Sequence, residues 1–587
     1  MGKCVVENWT LDSIALAIEN KEKENKSIIV PRFQRGGCWN KNQERKFIDS
    51  LKKGYPVGTM LFYETIENNK QKYILVDGLQ RGTCIKNYRN NPTEYFDLSN
   101  IPDKLVWEIS NLFKNYKDSE KGKRIIREEI EKEIKQNQDY SMNKQFYVFS
   151  NELEKILKEE NIIPKDFNLS SDRRVKLMDL VSNFYSEIKE TYEEISRSVI
   201  PIIIYSGNQD NLPEIFDRIN SQGTPLDIYE IYAASWPTNN KLIVNNEKII
   251  EQVSKKYDSL IKNGFRVQDY DRNKMIENKE LSCFEYLFGL SKFLVNEYDI
   301  LAFNLSFKDD QINPLGFELV NACLNESNKI KELYKNLEKI DINAFEKALI
   351  DSIKFVKNSI SPIFNFKSNK RNRKKPLHSK YMILSMISSV FKYMYRDGMY
   401  EEYSDNWIKL KNKLRLNILH YYIYDTITNY WSEGGTSKIY NISKEDRLLS
   451  DISRESWELE LKSYYKKTLE RKENSKVASP KSEDIVILNS IYLSIFTAED
   501  QLSEKKFDIE HIAPKAQMKK ILSRLKVEEK GLPISTIANL CYLPDSINRK
   551  KKDKNIYQDK NIKNIQRLEE KYLFIKKEDL NWMDECY

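Results

Sequence analysis

The stretch KYILVDGLQR, residues 72–81, decides the fold class of the N-terminal part of this chain. Lys72–Val76 is a short apolar run with β-branched and aromatic residues, which is typical of a buried strand. The dipeptide Asp77-Gly78 ends this run, and a helix is predicted from residue 80 to about residue 90. A strand that passes through Asp-Gly into a helix exposes backbone N–H groups at the helix N-terminus, where anions bind. The stretch therefore predicts an α+β domain with an anion site at this turn.

Further apolar runs extend the predicted sheet, and an amphipathic helix lies between them. The strand candidates are Ser27–Phe33, Val57–Tyr63 and Val199–Tyr205. Apolar residues at helical spacing within Asn42–Lys53, followed by Gly54, predict the helix. Strands mixed with helices in one segment indicate an α+β arrangement.

The pattern changes after the first hundred residues. A region from about 104 to 196 is rich in charged helices, such as KGKRIIREEIEKEIKQ at 121–136, and is interpreted as a helical insertion. We therefore predict an α+β multidomain protein. Residues 1–235 form an N-terminal domain that contains the insertion, residues 236–480 a mostly helical middle domain, and residues 481–587 a small C-terminal domain.

The composition excludes several protein classes. Of the 587 residues, 40% are apolar and 12% aromatic, which is too many for a disordered chain. No uncharged apolar run approaches the roughly 20 residues of a membrane span, and no signal peptide is recognisable. The seven cysteines are scattered without CxxC spacing, which argues against a disulfide scaffold or a zinc ribbon. A cytoplasmic protein with no membrane partner is expected, and the net charge of +8 does not by itself establish a polyanionic partner.

The C-terminal part contains residues suited to phosphodiester hydrolysis. FDIEHIAP, residues 507–514, presents Glu510 and His511 at the end of a predicted strand, and Asn539 and Asn548 follow. His511 is the candidate base, because imidazole titrates nearest to neutral pH. Glu510 and Asn548 supply hard oxygen ligands suited to Mg²⁺ or Mn²⁺. Asn539 is expected to accept a hydrogen bond from the other imidazole nitrogen and to orient the ring.

A basic flank surrounds these residues. Between Lys515 and Lys554 there are eleven Lys and Arg residues against four Asp and Glu residues. Such side chains bind the phosphates on either side of a cut site. The candidate DNA contacts are Lys515, Arg549, Lys550, Lys551 and Lys552. The other two histidines, His378 and His420, lie in apolar contexts and are interpreted as structural.

A second set of polar residues follows the predicted N-terminal strands and helices. It is carried by PRFQR at 31–35, VDGLQR at 76–81 and IFDRINSQGTPL at 215–226. Arginines supply planar donors for phosphate, and a carboxylate can hold a metal or orient a water. The candidate nucleotide- or phosphate-binding residues are Gln34, Arg35, Asp77, Gly78, Gln80 and Arg81.

The C-terminal set resembles a ββα-metal (HNH) nuclease. Its order is acid–His–Ile–x–Pro, then Asn, then a second Asn nine residues later in a basic stretch, which is similar to HNH domains that end in Asn. The resemblance implies that His511 activates water, that Glu510 and Asn548 hold one cation, and that Asn539 orients His511. Glu510 stands where many HNH nucleases have Asp, and Ala538 stands where close relatives usually have Gly.

The N-terminal motifs resemble the ParB/sulfiredoxin-like domain that opens GmrSD-type restriction proteins, whose hallmark is a DGQQR motif. Leu79 stands here in place of the first Gln of that motif. The resemblance implies a nucleoside triphosphate site in this domain, with NTPase activity that regulates a C-terminal HNH nuclease. It also implies DNA as the partner, probed for modification and cut in antiphage defence.

Three alternatives stay open from the sequence. The protein is a ParB-like DNA-binding regulator without cleavage, an RNA-directed toxin nuclease, or a nucleotide-hydrolysing switch that acts through a partner. The complete set from Glu510 to Asn548 argues against the first alternative. The sequence is compatible with an oligomer.

Overall fold

The computed structural model describes most of the chain. The described residues are 4–19, 26–32, 34, 39–67, 70–96, 98–113, 119–136, 143–208, 211, 215, 229, 236, 241–302, 314–364, 379–433, 435–444, 446–469, 480–493, 507–524, 534, 536–558 and 576–580.

The chain forms short strands and many helices. The strands are β1 (Cys4–Thr10), β2 (Ser27–Val30), β3 (Met60–Glu67), β4 (Lys70–Asp77), β5 (Val199–Tyr205), β6 (Lys241–Ile243), β7 (Arg266–Val267), β8 (Glu280–Ser282), β9 (Tyr395–Arg396), β10 (Met399–Tyr403), β11 (Phe507–His511) and β12 (Leu540–Pro544). The helices are α1 (Leu11–Glu19), α2 (Lys41–Lys52), α3 (Leu79–Asn90), α4 (Asp103–Ser110), α5 (Glu120–Gln136), α6 (Asn143–Glu159), α7 (Ser171–Arg197), α8 (Glu247–Lys262), α9 (Arg272–Asn278), α10 (Cys283–Glu297), α11 (Leu315–Leu324), α12 (Leu333–Leu337), α13 (Ile342–Phe364), α14 (Lys380–Met394), α15 (Trp407–Thr428), α16 (Gly435–Lys444), α17 (Arg454–Leu469), α18 (Ser482–Leu493), α19 (Lys515–Arg524) and α20 (Asp545–Lys551). This content agrees with the predicted α+β class.

The chain folds as two compact units. The first consists of Met1–Thr238, Ile250–Lys279 and Phe307–Ile312, and the second of Asn239–Ile249, Glu280–Ser306 and Asn313–Tyr587. The predicted boundaries at 235 and 480 stay a prediction.

The first unit is built on a mixed six-stranded sheet with the order β1-β5-β3-β4-β2-β7. β3 pairs antiparallel with β4 and β1 with β5, whereas β3 with β5, β4 with β2 and β2 with β7 are parallel pairs. A parallel pair needs a long crossover connection, and between β3 and β5 that connection consists of β4 and the helices α3–α7.

An apolar core fixes the strands against α1 and α3. Trp9 of β1 is buried and makes edge contacts with Phe62 and Tyr73, with ring centroids 5.5 and 5.3 Å apart. Ile200 and Ile202 alternate inward along β5, as expected of a strand with one face on a core.

Helices α4–α7 have a hydrophobic core of their own. Ile126, Ile130, Leu153, Leu157 and Leu177 are fully buried in it. They recur at helical spacing on α5 and α6, so each helix buries one apolar face and exposes a charged one.

The second unit is mostly helical. α14 is its central helix and packs against α11, α13 and α16. Eleven of the fifteen residues of α14 are buried, which is typical of a helix enclosed by others. The unit ends in β11, β12 and α20, whose core includes Phe507, Leu540 and Leu543 together with Leu488 of α18.

No described helix combines the length and the apolar character that crossing a lipid bilayer requires. Among the described cysteines, Cys4, Cys84, Cys283, Cys323 and Cys541 are free thiols.

Candidate functional site

The C-terminal strands carry the predicted nuclease residues into one ββα arrangement. β11 pairs antiparallel with β12, and the register places Glu510 opposite Cys541 and His511 opposite Leu540. Asn539 immediately precedes β12, and α20 starts directly after it. The fold therefore brings together two predicted site residues from β11, one from the start of β12 and one from α20.

Two polar contacts join β11 to α20. Nδ2 of Asn548 donates to Oδ2 of Asp508 at 3.2 Å, and Nζ of Lys551 donates to Oε1 of Glu510 at 2.9 Å. Asp508 and Glu510 are two apart in a strand, so their side chains leave the same face. Asn548 and Lys551 are three apart in a helix and also share a face. One face of β11 therefore contacts one face of α20 through two neighbouring side-chain pairs.

Asn539 holds the turn that follows His511. Its Oδ1 accepts the backbone N–H of Ala513 at 2.8 Å, and its Nδ2 donates to the carbonyls of Ala513 at 3.2 Å and Ile534 at 2.8 Å. Its own carbonyl accepts the N–H of Ile512 at 2.9 Å. All three side-chain bonds of Asn539 to described residues end on backbone, so its observed contacts position the chain beside His511. The predicted direct bond to the imidazole stays a prediction.

The imidazole of His511 is half-buried at the end of β11. Burial, together with the positive charges of Lys515 and Lys551, lowers the pKa of His511 to about 3. The ring is therefore neutral at pH 7, which is the state in which it can accept a proton.

The predicted DNA contacts have different environments. Arg549, Lys550 and Lys552 are exposed, and Lys515 is half-buried. Lys551 differs, because its side chain is 1% exposed and its ammonium binds Glu510 and the carbonyl of Lys554 at 3.1 Å. The predicted DNA contact of Lys551 is therefore not available in this structure, because its charge is paired inside the protein.

The donors beside Glu510 fit a small divalent cation. Asp508 and Glu510 provide carboxylate oxygens and Asn548 an amide oxygen, which are the ligands that Mg²⁺ and Mn²⁺ prefer. The ammonium of Lys551 marks a position for positive charge at Glu510. In the described ranges no group of three or more His, Cys, Asp and Glu side chains is placed to hold a metal. A cation here would therefore also depend on the amide and on water or phosphate oxygens, as is usual for Mg²⁺.

Hydrogen bonds anchor β12 beneath the site. The hydroxyl of Tyr542 donates to Oδ1 of Asn489 at 2.6 Å, and the backbone N–H of Tyr542 donates to the hydroxyl of Tyr492 at 3.1 Å. Nδ2 of Asn489 in turn donates to the carbonyl of Ile363 at the end of α13. These buried bonds fix the hairpin to α18 and α13.

In the first unit, the predicted anion site lies between β4 and α3. Nη2 of Arg81 donates to Oδ2 of Asp77 at 2.6 Å, and both side chains are partly exposed. Gly78 joins β4 to α3 with a φ of 107°, and a Cβ at this position would lie 2.8 Å from Cγ of Met60. The turn therefore requires glycine.

The chain that follows the first motif contacts the second motif. Oε1 of Gln80 accepts the backbone N–H of Trp39 at 3.0 Å. Gln34 is 5% exposed, and its Oε1 has no hydrogen-bond partner among the described residues. Buried polar atoms are normally paired, so this oxygen is a place where a ligand donor is expected. Arg35 and residues 216–226 of the third motif lie outside the described residues.

Residues beyond the three motifs hold the loop that precedes Gln34. Nε of Arg32 donates to the carbonyl of Gln268 at 3.0 Å, and the carbonyl of Arg32 accepts from Nζ of Lys256 at 2.7 Å. β7 also pairs with β2 next to this loop. The segment 250–279 is thus a structural part of the first unit.

Sequence reasoning did not single out Asp508, Lys551 or Lys256 in these roles. The spacing Asp508-Ile509-Glu510 was readable, because residues two apart in a strand share a face. Lys551 lies in a run of four basic residues, and such a run predicts that every side chain in it is exposed to solvent. Lys256 lies in a charged helix, and nothing in its local sequence indicates that it is buried.

Comparison with known proteins identifies the N-terminal region. No curated protein matches the chain significantly. Residues 17–237 match the family described as GmrSD restriction endonuclease, N-terminal domain, and this range includes all three N-terminal motifs. The match agrees with the family recognised from those motifs, and residues 17–237 of this chain form a GmrSD N-terminal domain.

Proposed function

We propose that this protein is a metal-dependent DNA endonuclease of the HNH type that restricts phage DNA. The family of the N-terminal domain supports a role in restriction. The observation that carries the proposal is the convergence of Asp508, Glu510, His511 and Asn548 in one ββα arrangement. These groups match the needs of phosphodiester hydrolysis, namely a neutral base and oxygen ligands for a cation.

Each group has a separate task in the proposed reaction. His511 accepts the proton of the attacking water through its neutral imidazole. Glu510 and Asn548, with Asp508, would hold one Mg²⁺ or Mn²⁺, which supplies stabilisation of negative charge on the phosphate and the leaving oxygen. Asn539 keeps the backbone after His511 in place. Lys515, Arg549, Lys550 and Lys552 bind flanking phosphates and set the position of the DNA.

The N-terminal site is proposed to bind a nucleoside triphosphate and to regulate cleavage. Arg81 provides planar donors for a phosphate, and the start of α3 provides backbone N–H groups after Gly78. Oε1 of Gln34, which has no partner within the described part of the chain, provides an acceptor for a donor of the nucleotide. The sequence motif predicts Arg35 as a further phosphate donor, and Asp77 keeps Arg81 oriented. Hydrolysis of the nucleotide and sensing of DNA modification complete the proposal.

Cleavage is tested with the purified full chain on modified and unmodified DNA and on RNA, with Mg²⁺, Mn²⁺ or chelator, with and without each nucleotide. H511A is expected to lower cleavage by at least about 100-fold, because it removes the base. H420A is the matched control, since it makes the same change at an exposed histidine of α15.

Each outcome of this experiment bears on the proposal. DNA cleavage that needs a divalent cation and His511 supports it. Equal cleavage by H511A and wild type contradicts it, binding without any nick favours a regulator, and products from RNA alone favour the toxin nuclease.

The nucleotide site has its own test. R81Q is expected to weaken binding of a fluorescent nucleotide at least about tenfold, because it removes a charge-assisted phosphate donor. R89Q is the control, because Arg89 also lies on α3 and also has an acidic partner, Asp12. Equal nucleotide affinity in both variants would show that Arg81 does not contact the nucleotide.

A further inference from the structure

Lys551 occupies an unusual position for a lysine in a basic run. It is the last residue of α20, and its side chain is 1% exposed although Arg549, Lys550 and Lys552 around it are exposed. Its ammonium donates to Oε1 of Glu510 at 2.9 Å and to the carbonyl of Lys554 at 3.1 Å. A charged ammonium is buried only when such partners compensate its lost hydration.

The partner of Lys551 is the carboxylate to which the proposed function assigns the metal. Glu510 is 20% exposed, so the pair lies in a partly dry site where charges interact strongly. A divalent cation on the same carboxylate and the ammonium at 2.9 Å would repel each other. Binding of one cation to this carboxylate therefore weakens binding of the other.

We propose that Lys551 is a built-in counter-cation that competes with the divalent metal for Glu510. This inference rests on the proposed function, in which Glu510 is a metal ligand. Without metal, the ammonium keeps the carboxylate charge compensated and holds α20 against β11. Metal binding displaces the ammonium from Glu510, and the released side chain becomes accessible to solvent.

Because Lys551 is the last residue of α20, its side chain can leave Glu510 while the rest of the helix stays in place. Lys552 follows with a φ of 53° and ends the helix, and the residues 552–554 are exposed. The long lysine side chain can therefore turn outward while the second link, from Asn548 to Asp508, still joins the helix to the strand. The competition lowers metal affinity, so the site fills only when divalent cation is abundant or when DNA phosphate adds ligands.

Metal binding measures the competition directly. Mn²⁺ is titrated by calorimetry into wild type, K551M, K550M and E510Q in the absence of DNA. K551M is expected to bind Mn²⁺ about tenfold or more tightly than wild type, because no ammonium competes, whereas K550M matches wild type. Equal or weaker binding by K551M overturns the inference.

E510Q separates this inference from the proposed function. If E510Q loses Mn²⁺ binding while K551M has the same Mn²⁺ affinity as wild type, Glu510 is a metal ligand and the proposed competition is wrong. If E510Q binds Mn²⁺ like wild type, Glu510 is not a ligand and both proposals fall.

A second measurement needs no variant and avoids any effect of K551M on folding. Wild-type protein is acetylated briefly with an amine-reactive ester, with and without Mn²⁺, and each lysine is quantified by mass spectrometry. Lys551 is expected to be protected without Mn²⁺ and to react severalfold faster with it, while Lys550 reacts equally in both. Protection of Lys551 that persists at saturating Mn²⁺ contradicts the displacement.

Discussion

Glu510 and His511 are neighbours in the chain, yet β11 gives them different surroundings. Glu510 faces α20 and has the ammonium of Lys551 as its partner. His511 ends the strand half-buried, where burial keeps its pKa far below neutral pH. In the proposed reaction Glu510 has to act as an ionised carboxylate and His511 as a neutral imidazole. The alternation of side chains along a strand allows both conditions within two residues.

Asn539 provides a prediction at the scale of one residue. N539A removes three side-chain hydrogen bonds and leaves the backbone of Ala513 unpaired, so the free energy of unfolding should fall by about 1–3 kcal/mol. N539D keeps the acceptor for the N–H of Ala513 but places a carboxylate oxygen against the carbonyls of Ala513 and Ile534, so it should lose at least as much stability. Denaturant unfolding measures both variants, and a stability of N539A equal to wild type would show that this clamp is unimportant.

Gly78 provides a second prediction at this scale. G78A should lower the free energy of unfolding by about 1–3 kcal/mol, because a side chain is strained at a φ of 107° and its Cβ would meet Met60 at 2.8 Å. Gly54 is the control, since its φ is 68° but nothing lies within 4 Å of its Cβ position. G54A should therefore cost less, and an equal loss in the two variants would exclude the clash with Met60.

At the scale of elements, the ββα arrangement depends on its neighbours. β11 and β12 have five residues each and α20 has seven. A two-stranded ribbon and a helix of this length are not stable alone in water. They are held by a shared core with Leu488 and Tyr492 of α18. The rigidity of the candidate site therefore comes from the helix before it.

Helices α6 and α7 allow a prediction on pH. Burial raises the pKa of Glu154, but hydrogen bonds and charges from Lys158 and Arg174 outweigh this, so the pKa lies below its ordinary value. The resulting stabilisation is complete above the unfolded pKa of about 4.3 and is lost as pH falls through the lower folded pKa.

The measurement compares melting temperatures from pH 7 downward. E154Q should be less stable than wild type at neutral pH, and the difference should shrink on acidification. E159Q, at an exposed glutamate of the same helix, should show a small difference at every pH. A difference for E154Q that is constant with pH would contradict the role of its ionised form.

At the scale of the whole molecule, each of the two units carries one candidate site. The Asp77–Arg81 pair lies in the first unit, and Glu510 and His511 lie in the second. The positive charge is unevenly distributed, because the segment 515–554 alone has eleven basic and four acidic residues. DNA binding is therefore expected to depend mainly on the second unit.

Salt dependence tests this distribution. R549Q/K550Q/K552Q should reduce the slope of log affinity for DNA against log salt concentration by about 2–3 units, because each phosphate contact contributes about 0.9. K121Q/K132Q/K155Q removes the same charge from exposed lysines of α5 and α6 and should leave the slope nearly unchanged. Equal slopes for both triple variants would show that the DNA does not contact Arg549, Lys550 and Lys552.

Many local elements were predictable from the sequence. The strand predicted at Lys72–Val76 is observed as β4, the helix predicted at 121–136 as α5, and the strand at Val199–Tyr205 with the same bounds. The strand predicted from Val57 begins only at Met60, because Gly58 has a φ of 79° that an extended strand does not allow. Periodicity locates an element, but local backbone geometry decides where it starts.

The sequence by itself determined which residue types the candidate sites contain and the family of the N-terminal domain, because motif order and spacing are properties of the chain. Only the tertiary structure determined which basic side chain pairs with which acidic side chain. Lys551 and Glu510 are 41 residues apart, and their contact depends on the register of β11 and β12 and on the packing of α20. Groups distant in the sequence determine whether a charged side chain is buried and which partner it has. A lysine in a basic run, which the sequence predicts to be exposed, can therefore be buried against a carboxylate.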